Sequence, residues 1–167
     1  MDKTVREYVG ANFSFIKAGI FVLNDKGQLL VLRRSEWKKI PGQDYRPDLS
    51  HKPDIPGGVI GDTVEKESGV EGAVRELAEE TGIIVDPSEL ELVYTETNYN
   101  ERGHHSKNTL IYMVKLDHTP DVKISWEHEY FSWRDIREVA STNYLQSETV
   151  CHRAIHYILE HPNVFGV

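Results

Sequence analysis

The stretch that most constrains the fold of this chain is a helix signal that runs from Ser68 to Gly82. Ser68 and Glu71 are spaced as a capping box, and Gly82 is a suitable C-cap. The apolar residues between them recur at the spacing of one helical face and predict its buried stripe: Val70, Ala73, Val74 and Leu77. The sequence therefore predicts an amphipathic helix over 69–81 that packs through this stripe.

Three glutamates, Glu76, Glu79 and Glu80, lie on another face of the predicted helix, toward its C-terminal end. The helix dipole is negative there, and like charges three or four residues apart repel, so the arrangement costs stability. Dense carboxylate oxygens suit Mg²⁺ or Mn²⁺, which bind a few carboxylates, keep water ligands and accept substrate phosphate oxygens. We therefore predict that the three carboxylates converge on a site for Mg²⁺ or Mn²⁺. A solvated acidic face is the alternative for an arbitrary glutamate-rich helix.

A longer pattern surrounds this helix. From residue 61 the chain reads GDTVEKESGVEGAVRELAEETGI. This stretch resembles the Nudix box, G-x5-E-x7-R-E-U-x-E-E-x-G-U with U aliphatic, and every specified position matches. The resemblance implies an α/β fold, the Nudix-type α/β/α sandwich with a mixed β-sheet, and metal-dependent hydrolysis of a nucleoside diphosphate linked to another group.

The resemblance also implies a role for individual residues of the box. Glu76, Glu79 and Glu80 are the implied metal ligands, and Glu67 is an outer or additional ligand. Arg75 is the implied orienter of a carboxylate. In such a site the metal ions neutralise phosphate oxygens and help to activate the attacking water.

The glycine turn before the helix departs from the family pattern. Pro56-Gly57-Gly58 lies three residues earlier than the usual Gly-Gly, and Gly61 fills the position in the box. In the family a backbone carbonyl from this turn joins the metal shell. We assign that part to Gly58 in our prediction, and Gly57 and Gly61 stay open as alternatives.

A second element, SWEHEYFSW at 125–133, resembles the E-H-x4-W element that many Nudix proteins carry near the C-terminal part of the sheet. Glu127 is therefore our first candidate for the general base or an extra metal ligand, and Glu129 is the next. Glu79 or Glu76 of the box is the remaining choice for the base. A solvated loop acid is the alternative for Glu127.

The substrate-binding candidates come from the same resemblance. Arg33 and Arg34 end a predicted strand where Nudix relatives often place basic residues that grip phosphate, and arginine suits bidentate phosphate contacts. Simple surface charge is the alternative for both. Tyr99 lies near the position of a tyrosine in dinucleoside polyphosphate hydrolases of the family. Trp37, Tyr45 and Tyr99 could stack on a base or a sugar.

The implied substrate is a small-molecule nucleotide, with a nucleoside triphosphate or related nucleotide first. A dinucleoside polyphosphate or nucleotide sugar is the alternative substrate. An alternative from another class is a Nudix-like module that senses a nucleotide without cleaving it. Such modules tend to lose the carboxylates, and this chain keeps them. The proline-rich SQPWPFP-type element of NADH enzymes is absent, and so is the proline expected of ADP-ribose enzymes, which disfavours both.

The rest of the chain reads as strands interleaved with helices. Strands are predicted at 13–23, 28–33, 89–97, 108–116 and 130–133, with a hairpin turn NDKG between the first two. The segment DIREVA is a predicted short helix, and an amphipathic helix is predicted from about 147 to 161 with Pro162 ending it. Long polar loops are expected at 34–54 and 98–107.

Composition limits the cellular context. The chain has 167 residues, which predicts a single domain over 1–167, and its formal net charge of -8 argues against duplex nucleic acid or an anionic membrane as partner. A single cysteine, Cys151, cannot form an internal disulfide. With no apolar run of membrane-spanning length, the expectation is a cytoplasmic protein. A homodimer stays open.

Overall fold

The computed structural model of this protein describes residues 13–36, 50–61, 66–100, 105–142, 144–145 and 149–167. Two of the predicted stacking residues, Trp37 and Tyr45, lie outside these ranges. Tyr99 lies inside them, but only its backbone is described.

The described residues form seven strands and four α-helices. The strands are β1 Phe13–Leu23, β2 Gln28–Arg34, β3 Pro53–Asp54, β4 Gly57–Val59, β5 Glu91–Asn100, β6 His105–Lys115 and β7 His128–Asp135. The helices are α1 Gly69–Thr81, α2 Ile136–Ser141, α3 Val150–Glu160 and α4 Pro162–Phe165, with a 3-10 turn at Pro87–Glu89. No helix among these residues has the length and hydropathy that crossing a membrane requires.

The strands make one mixed sheet in the order β3-β2-β1-β6-β5. β1 and β6 are parallel, whereas the other pairs are antiparallel. β1 and β2 pair only beside their hairpin, at Leu23 and Leu29. Beyond that point β1 pairs with β4 and β2 pairs with β3, while β7 pairs with β2 along its whole length. The two strands therefore separate, and the glycine turn in β4 lies along β1.

Helices cover both faces of the sheet because β1 alternates its side chains between two cores. Ile20 and Val22 belong to the core under α1, together with Ala73 and Leu77 of that helix. Alternate residues of β1 belong to the opposite core, beneath α2, α3 and α4: Phe21 and Leu23. The predicted α/β/α sandwich with a mixed sheet is confirmed.

The predicted helix over 69–81 is confirmed in its bounds and its caps. Ser68 and Glu71 form the reciprocal capping box, and Gly82 closes the helix with φ +71°. Ala73 and Leu77 are fully buried, and Val70 and Val74 pack beside them. Local capping signals and the apolar stripe agree here, which is why the sequence sufficed.

Several predicted boundaries differ from the observed ones: residues 89–90, expected in a strand, precede β5, and the loop expected at 34–54 includes β3. Residues 98–100 and 105–107, expected in a loop, continue β5 and β6, because cross-strand pairs such as Asn98 with Lys107 extend the ladder through polar residues. The strand expected at 130–133 runs over His128–Asp135, since it pairs along β2. α3 ends at Glu160, before Pro162, as predicted, but Pro162 also begins a further short helix. It is the first residue of α4, a position where its missing N–H costs nothing.

Candidate metal and active site

The glycine turn in β4 lies directly against the acidic face of α1. The N–H of Gly57 donates a hydrogen bond to Oε2 of Glu80 over 2.9 Å. A Cβ atom on Gly58 would lie 2.4 Å from the carboxylate of Glu76. A Cβ atom on Gly57 would lie 2.2 Å from the carbonyl oxygen of Ala18. Only glycines let the backbone approach these groups so closely.

Two of the three helix glutamates are buried by this contact. Glu76 is 8% exposed and Glu80 is 2% exposed. A carboxylate loses hydration when it is buried and needs compensating donors or positive charge. The alternative of a solvated acidic face therefore does not describe Glu76 and Glu80. Glu79 does lie at the surface, with a side chain 57% exposed.

Arg75 connects three carboxylates of the box. Its Nε and Nη2 donate to the two carboxylate oxygens of Glu67 over 2.7 and 3.0 Å, which makes a bidentate pair. Its Nη1 donates to Glu76 over 2.9 Å and to Glu79 over 3.1 Å, and Nη2 also reaches the carbonyl oxygen of Val59 at 3.4 Å. The guanidinium thus fixes where these carboxylates point.

Glu67 stays ionised in this arrangement. The hydrogen bonds from Arg75 hold the pKa of Glu67 below its ordinary value, with further help from the N–H of Gly61 at 3.1 Å and opposition from burial. Reciprocally, the hydrogen bond to Glu67 raises the pKa of Arg75. Glu67 is therefore the principal anchor of Arg75.

Each part of the displaced glycine turn contacts a different glutamate of the box. Gly57 bonds to Glu80, Gly61 bonds to Glu67, and the Cα of Gly58 lies against the carboxylate of Glu76. Both the early Pro-Gly-Gly and Gly61 at the box position therefore contact glutamates of the box. The carbonyl contributed to a metal, assigned to Gly58 from the sequence, stays a prediction.

The described residues do not contain three or more His, Cys, Asp or Glu side chains already arranged as a metal cage. The convergence of Glu76, Glu79 and Glu80 on a metal site stays a prediction. Glu79 is exposed and shares Nη1 of Arg75 with the buried Glu76, while Glu80 accepts from Gly57 of the glycine turn. The donor set still suits Mg²⁺ or Mn²⁺, because carboxylate and backbone carbonyl oxygens are ligands that these hard ions prefer.

The loop that carries Glu127 is attached to the C-terminal end of α1. The N–H groups of Ser125 and Lys123 donate to the carbonyl oxygens of Glu80 and Thr81, over 3.0 and 2.9 Å. These are two of the carbonyls that a helix end leaves without an intrahelical partner. The structure thus brings the Glu127 loop to the turn of α1 that holds Glu80. The role of Glu127, which is half-buried, stays a prediction.

The other end of this loop is attached to the end of β2. The Ser35 N–H donates to the carbonyl oxygen of Glu127 over 2.8 Å, and the Ser35 hydroxyl donates to that of Trp126 over 2.9 Å. Trp126 itself is 67% exposed. Neither Ser35 nor Trp126 was among the predicted site residues. For Trp126 the sequence did contain a signal, since this aromatic residue directly precedes the Glu127-His128 pair.

Glu129 and Arg33, predicted for different roles, are bonded to each other. Arg33 Nε donates to Glu129 Oε1 over 2.5 Å, and Nδ1 of His51 lies 2.8 Å from the same oxygen. The bond to His51, followed by that to Arg33, lowers the pKa of Glu129. A carboxylate with a lowered pKa accepts a proton less readily, so this contact disfavours Glu129 as general base.

The remaining predicted residues lie around the same end of β2 or along β5. Arg34 Nε is 3.7 Å from a carboxylate oxygen of Asp54, an ion pair beyond hydrogen-bond length. Tyr99 pairs across the sheet with Ser106. The predicted contacts of Arg33, Arg34 and Tyr99 with substrate stay predictions.

Comparison with known proteins identifies the relatives of this chain. Its sequence matches the family described as NUDIX domain over residues 14–153. It is similar in structure to the MutT protein from Methanosarcina mazei Go1, at 24% identity and a TM-score of 0.67, covering 90% of this chain and 96% of that one. It is also similar to a C. elegans Ap4A hydrolase in a binary complex, at 20% identity and a TM-score of 0.64, covering 90% and 99%.

A further similar structure contains a metal. It is a bifunctional NMN adenylyltransferase/ADP ribose pyrophosphatase from Francisella tularensis, complexed with AMP and a Mn ion. The identity is 19% and the TM-score 0.60, and the match covers 93% of this chain but 44% of that one. At these identities the structural matches bear on the fold alone.

Proposed function

The chain belongs to the Nudix family of pyrophosphohydrolases, and we propose that it cleaves a diphosphate linkage in a nucleoside diphosphate derivative with the help of Mg²⁺ or Mn²⁺. A nucleoside triphosphate or related nucleotide is the proposed substrate. The observation that carries the proposal is the burial of Glu76 and Glu80 side by side against the glycine turn. Those positions are two of the specified acids of the Nudix box.

Charge balance supports a divalent cation at this place. The specified positions of the box provide four carboxylates and one guanidinium, that of Arg75. Buried carboxylates of like charge repel one another strongly unless a cation compensates them. A divalent cation held by Glu76 and Glu80 would provide that charge and would leave coordination positions for water and phosphate oxygens. The Mn ion in the Francisella protein fits the same ion class.

The residues around the cation have separate parts in this proposal. Glu76 and Glu80 hold the ion, with the backbone of Gly58 beside them. Glu67 anchors Arg75, and Arg75 in turn positions Glu76 and Glu79 through Nη1. A bound ion would supply electrostatic stabilisation of the phosphate oxygens and would lower the pKa of a water ligand.

Two acids are available to take a proton from the attacking water. Glu127 lies on a loop fastened to both α1 and β2, so its backbone is held in place beside the box helix. Glu79 is the exposed glutamate of the box, and its carboxylate is already oriented by Arg75. We assign the base to Glu127 and keep Glu79 as the ligand and second choice. Both are reached by solvent, as a base acting on water requires.

Arg33 and Arg34 are the proposed contacts for substrate phosphate. Arg33 is half-exposed and bonded to Glu129, so it can exchange that carboxylate for a phosphate without moving its backbone. Arginine forms bidentate contacts with phosphate as readily as with carboxylate. Tyr99 is the proposed stacking residue.

A hydrolysis screen tests the proposal. The purified protein is incubated with nucleoside triphosphates, nucleotide sugars, ADP-ribose and dinucleoside polyphosphates, each with Mg²⁺ or Mn²⁺, and with EDTA as the metal-free control. Products are identified by chromatography, and cleavage in ¹⁸O-labelled water identifies the phosphorus that is attacked. We expect metal-dependent release of a nucleoside monophosphate from at least one class. Nucleotide binding without turnover in any class would replace the enzyme with a sensing module.

A further inference from the structure

Two histidines lie one turn apart on the outer side of α3, on the face of the sheet opposite the Nudix box. The Nε2 atoms of His152 and His156 are 3.2 Å apart, and their ring centroids are separated by 4.5 Å. His156 is exposed and His152 is half-exposed. Both imidazoles are therefore reached by solvent, and each presents the same ring nitrogen toward the other.

This spacing is the one that a shared metal ion imposes on two nitrogen ligands. With a metal–nitrogen length of 2.0–2.1 Å, two ligands lie about 3.3 Å apart at a tetrahedral angle and about 2.9 Å apart at a right angle. The observed 3.2 Å lies between these values. Without a metal, one Nε2 carries a proton that it donates to the other, so an ion would take the place of that proton.

The helix holds the two rings in position. On its other side α3 buries Ala154, Ile155 and Ile158, each with no exposed surface. Arg153 ties the helix to β5 through hydrogen bonds of 2.8 and 2.6 Å to the carboxylate of Glu96. Because residues four apart lie on one side of a helix, the packed backbone keeps the side chains of His152 and His156 next to each other. The backbone is therefore already ordered before a metal ion binds.

We propose that His152 and His156 form a two-ligand site for a transition-metal ion of the Ni²⁺, Cu²⁺ or Zn²⁺ class, separate from the Nudix box. Two imidazoles favour these ions over Mg²⁺, which prefers oxygen ligands. The described residues contain no third protein ligand arranged with them, so water completes the coordination. The nearby His161 is engaged elsewhere, with Nδ1 2.8 Å from the carbonyl oxygen of Tyr157.

The site is tested on the full chain with Ni²⁺ as the probe, in buffer that contains excess Mg²⁺ so that the carboxylates of the box are occupied. Isothermal titration measures stoichiometry and affinity, and thermal unfolding with and without Ni²⁺ measures stabilisation by binding to the folded state. Wild type should bind one tight Ni²⁺ and unfold at a higher temperature with it. A wild-type protein without a tight site overturns the proposal.

Variants identify the ligands. His156→Gln and His152→Gln should each weaken Ni²⁺ binding about a hundredfold, which is the low end of the gain in affinity that a second linked contact provides. His118→Gln is the matched control, because His118 is an exposed histidine outside α3 that pairs with Asp117. His105→Gln is a second control, because His104 and His105 are consecutive in the sequence and are another candidate pair of metal ligands. Both controls should bind as wild type does.

A spectroscopic readout separates the pair from any other ligand set. With one equivalent of Cu²⁺, electron paramagnetic resonance should show coupling to two imidazole nitrogens in wild type and to one in His156→Gln. Unchanged coupling in His156→Gln, or loss of the tight Ni²⁺ site in His105→Gln instead, would overturn the assignment. Because hydrolysis at the Nudix box is not the readout, these outcomes do not depend on the proposed enzymatic function.

Discussion

The backbone N–H of Gly57 donates a 2.9 Å hydrogen bond to Oε2 of Glu80, whose side chain is almost fully buried. Glu80 lies in the last turn of α1, and Gly57 begins β4. The bond therefore joins the glycine turn to the last turn of the acidic helix. A charged acceptor strengthens such a hydrogen bond and keeps Glu80 pointed at the turn.

The first prediction is that Glu80→Gln lowers hydrolysis at least about a hundredfold, the scale seen when a preorganised electrostatic group is removed. The glutamine oxygen can still accept from Gly57, although more weakly than a carboxylate, and the substitution relieves like-charge repulsion with Glu76, so the fold should remain and the unliganded protein should be no less stable. Steady-state kinetics with Mg²⁺ and urea unfolding measure the two effects. Full activity in this variant would remove the metal-site assignment, whereas a loss of folding would make the kinetics uninformative and call for Glu80→Asp.

The second prediction concerns the space beside Glu76. In Gly58→Ala the new Cβ would lie 2.4 Å from the Glu76 carboxylate, so that side chain must move. We expect turnover to fall at least about tenfold, since a displaced ligand of this kind affects binding and chemistry together. Gly27→Ala is the control for backbone strain alone, because Gly27 has a φ of +72° but open space around it, so its alanine strains a turn without displacing Glu76. Equal activity in the two variants would show that Gly58 is not needed for the position of Glu76.

The third prediction tests the packing of α1. Leu77 has no exposed surface, and Leu77→Ala should lower the free energy of unfolding by about 2 to 5 kcal/mol, the range for large-to-small changes in a core. Leu92→Ala is the control, since Leu92 on β5 is 50% exposed and should cost much less. Urea denaturation followed by circular dichroism provides both values. Similar losses for the two leucines would contradict the packing described for α1.

The fourth prediction is a pH dependence of stability. Hydrogen bonds from Arg153 lower the pKa of Glu96 to about 2, from an ordinary value of 4.5. A carboxylate with a lower pKa in the folded protein stabilises it fully above the unfolded value, and this contribution disappears as the pH falls through the folded value. The stability difference between wild type and Glu96→Gln should therefore shrink from about pH 5 toward pH 2.

A second variant separates this ion pair from general acid denaturation. In an Arg153→Met background, the pH-dependent effect of Glu96→Gln should be smaller, because the main partner that lowers the pKa is gone while Asn98 and Tyr94 still donate to Glu96. Denaturation profiles at several pH values measure all four proteins. A wild-type difference that stays constant down to pH 2 would contradict the role of Arg153.

The sequence predicted what depends on local signals and missed what depends on pairing. The bounds of α1 follow from Ser68, Glu71 and Gly82, which act on their own helix. The lengths of β5 and β6 depend on a partner strand, so polar pairs such as Asn98 with Lys107 looked like loop. Pattern alone could not show that an extended ladder would accept them.

The same limit applies to the candidate site. Spacing placed Glu76 and Glu80 on one helix face, but their burial depends on β4, a short strand that the sequence did not predict. The displaced glycines were visible in the sequence, whereas their contacts with three different glutamates were not. The long side chain of Arg75 can reach several acids, and the folded geometry determines which of them it contacts.

The last prediction distinguishes the two acids of the 125–133 segment. Glu127→Gln should lower turnover at least about a hundredfold, within the range that general bases contribute, and leave Mg²⁺ binding to the free enzyme nearly unchanged. Glu129→Gln should keep turnover within a few-fold of wild type. The physical reason is that the Glu129 carboxylate is already shared by Arg33 and His51, which lower its pKa. Loss of the Glu129 carboxylate should instead change KM, because Arg33 would no longer be bonded to it and could bind the substrate phosphate.

Measurements of kcat and KM across pH 6 to 9, with Mg²⁺ titrations of the free enzymes, provide the comparison. Near-normal turnover in Glu127→Gln together with a large loss in Glu129→Gln would reverse the assignment. If both variants stay active, the base lies in the box, and Glu79 becomes the first choice because its carboxylate is exposed and oriented by Arg75 at 3.1 Å. Glu76 is the weaker choice, since a buried carboxylate bonded to Arg75 has poor access to the attacking water.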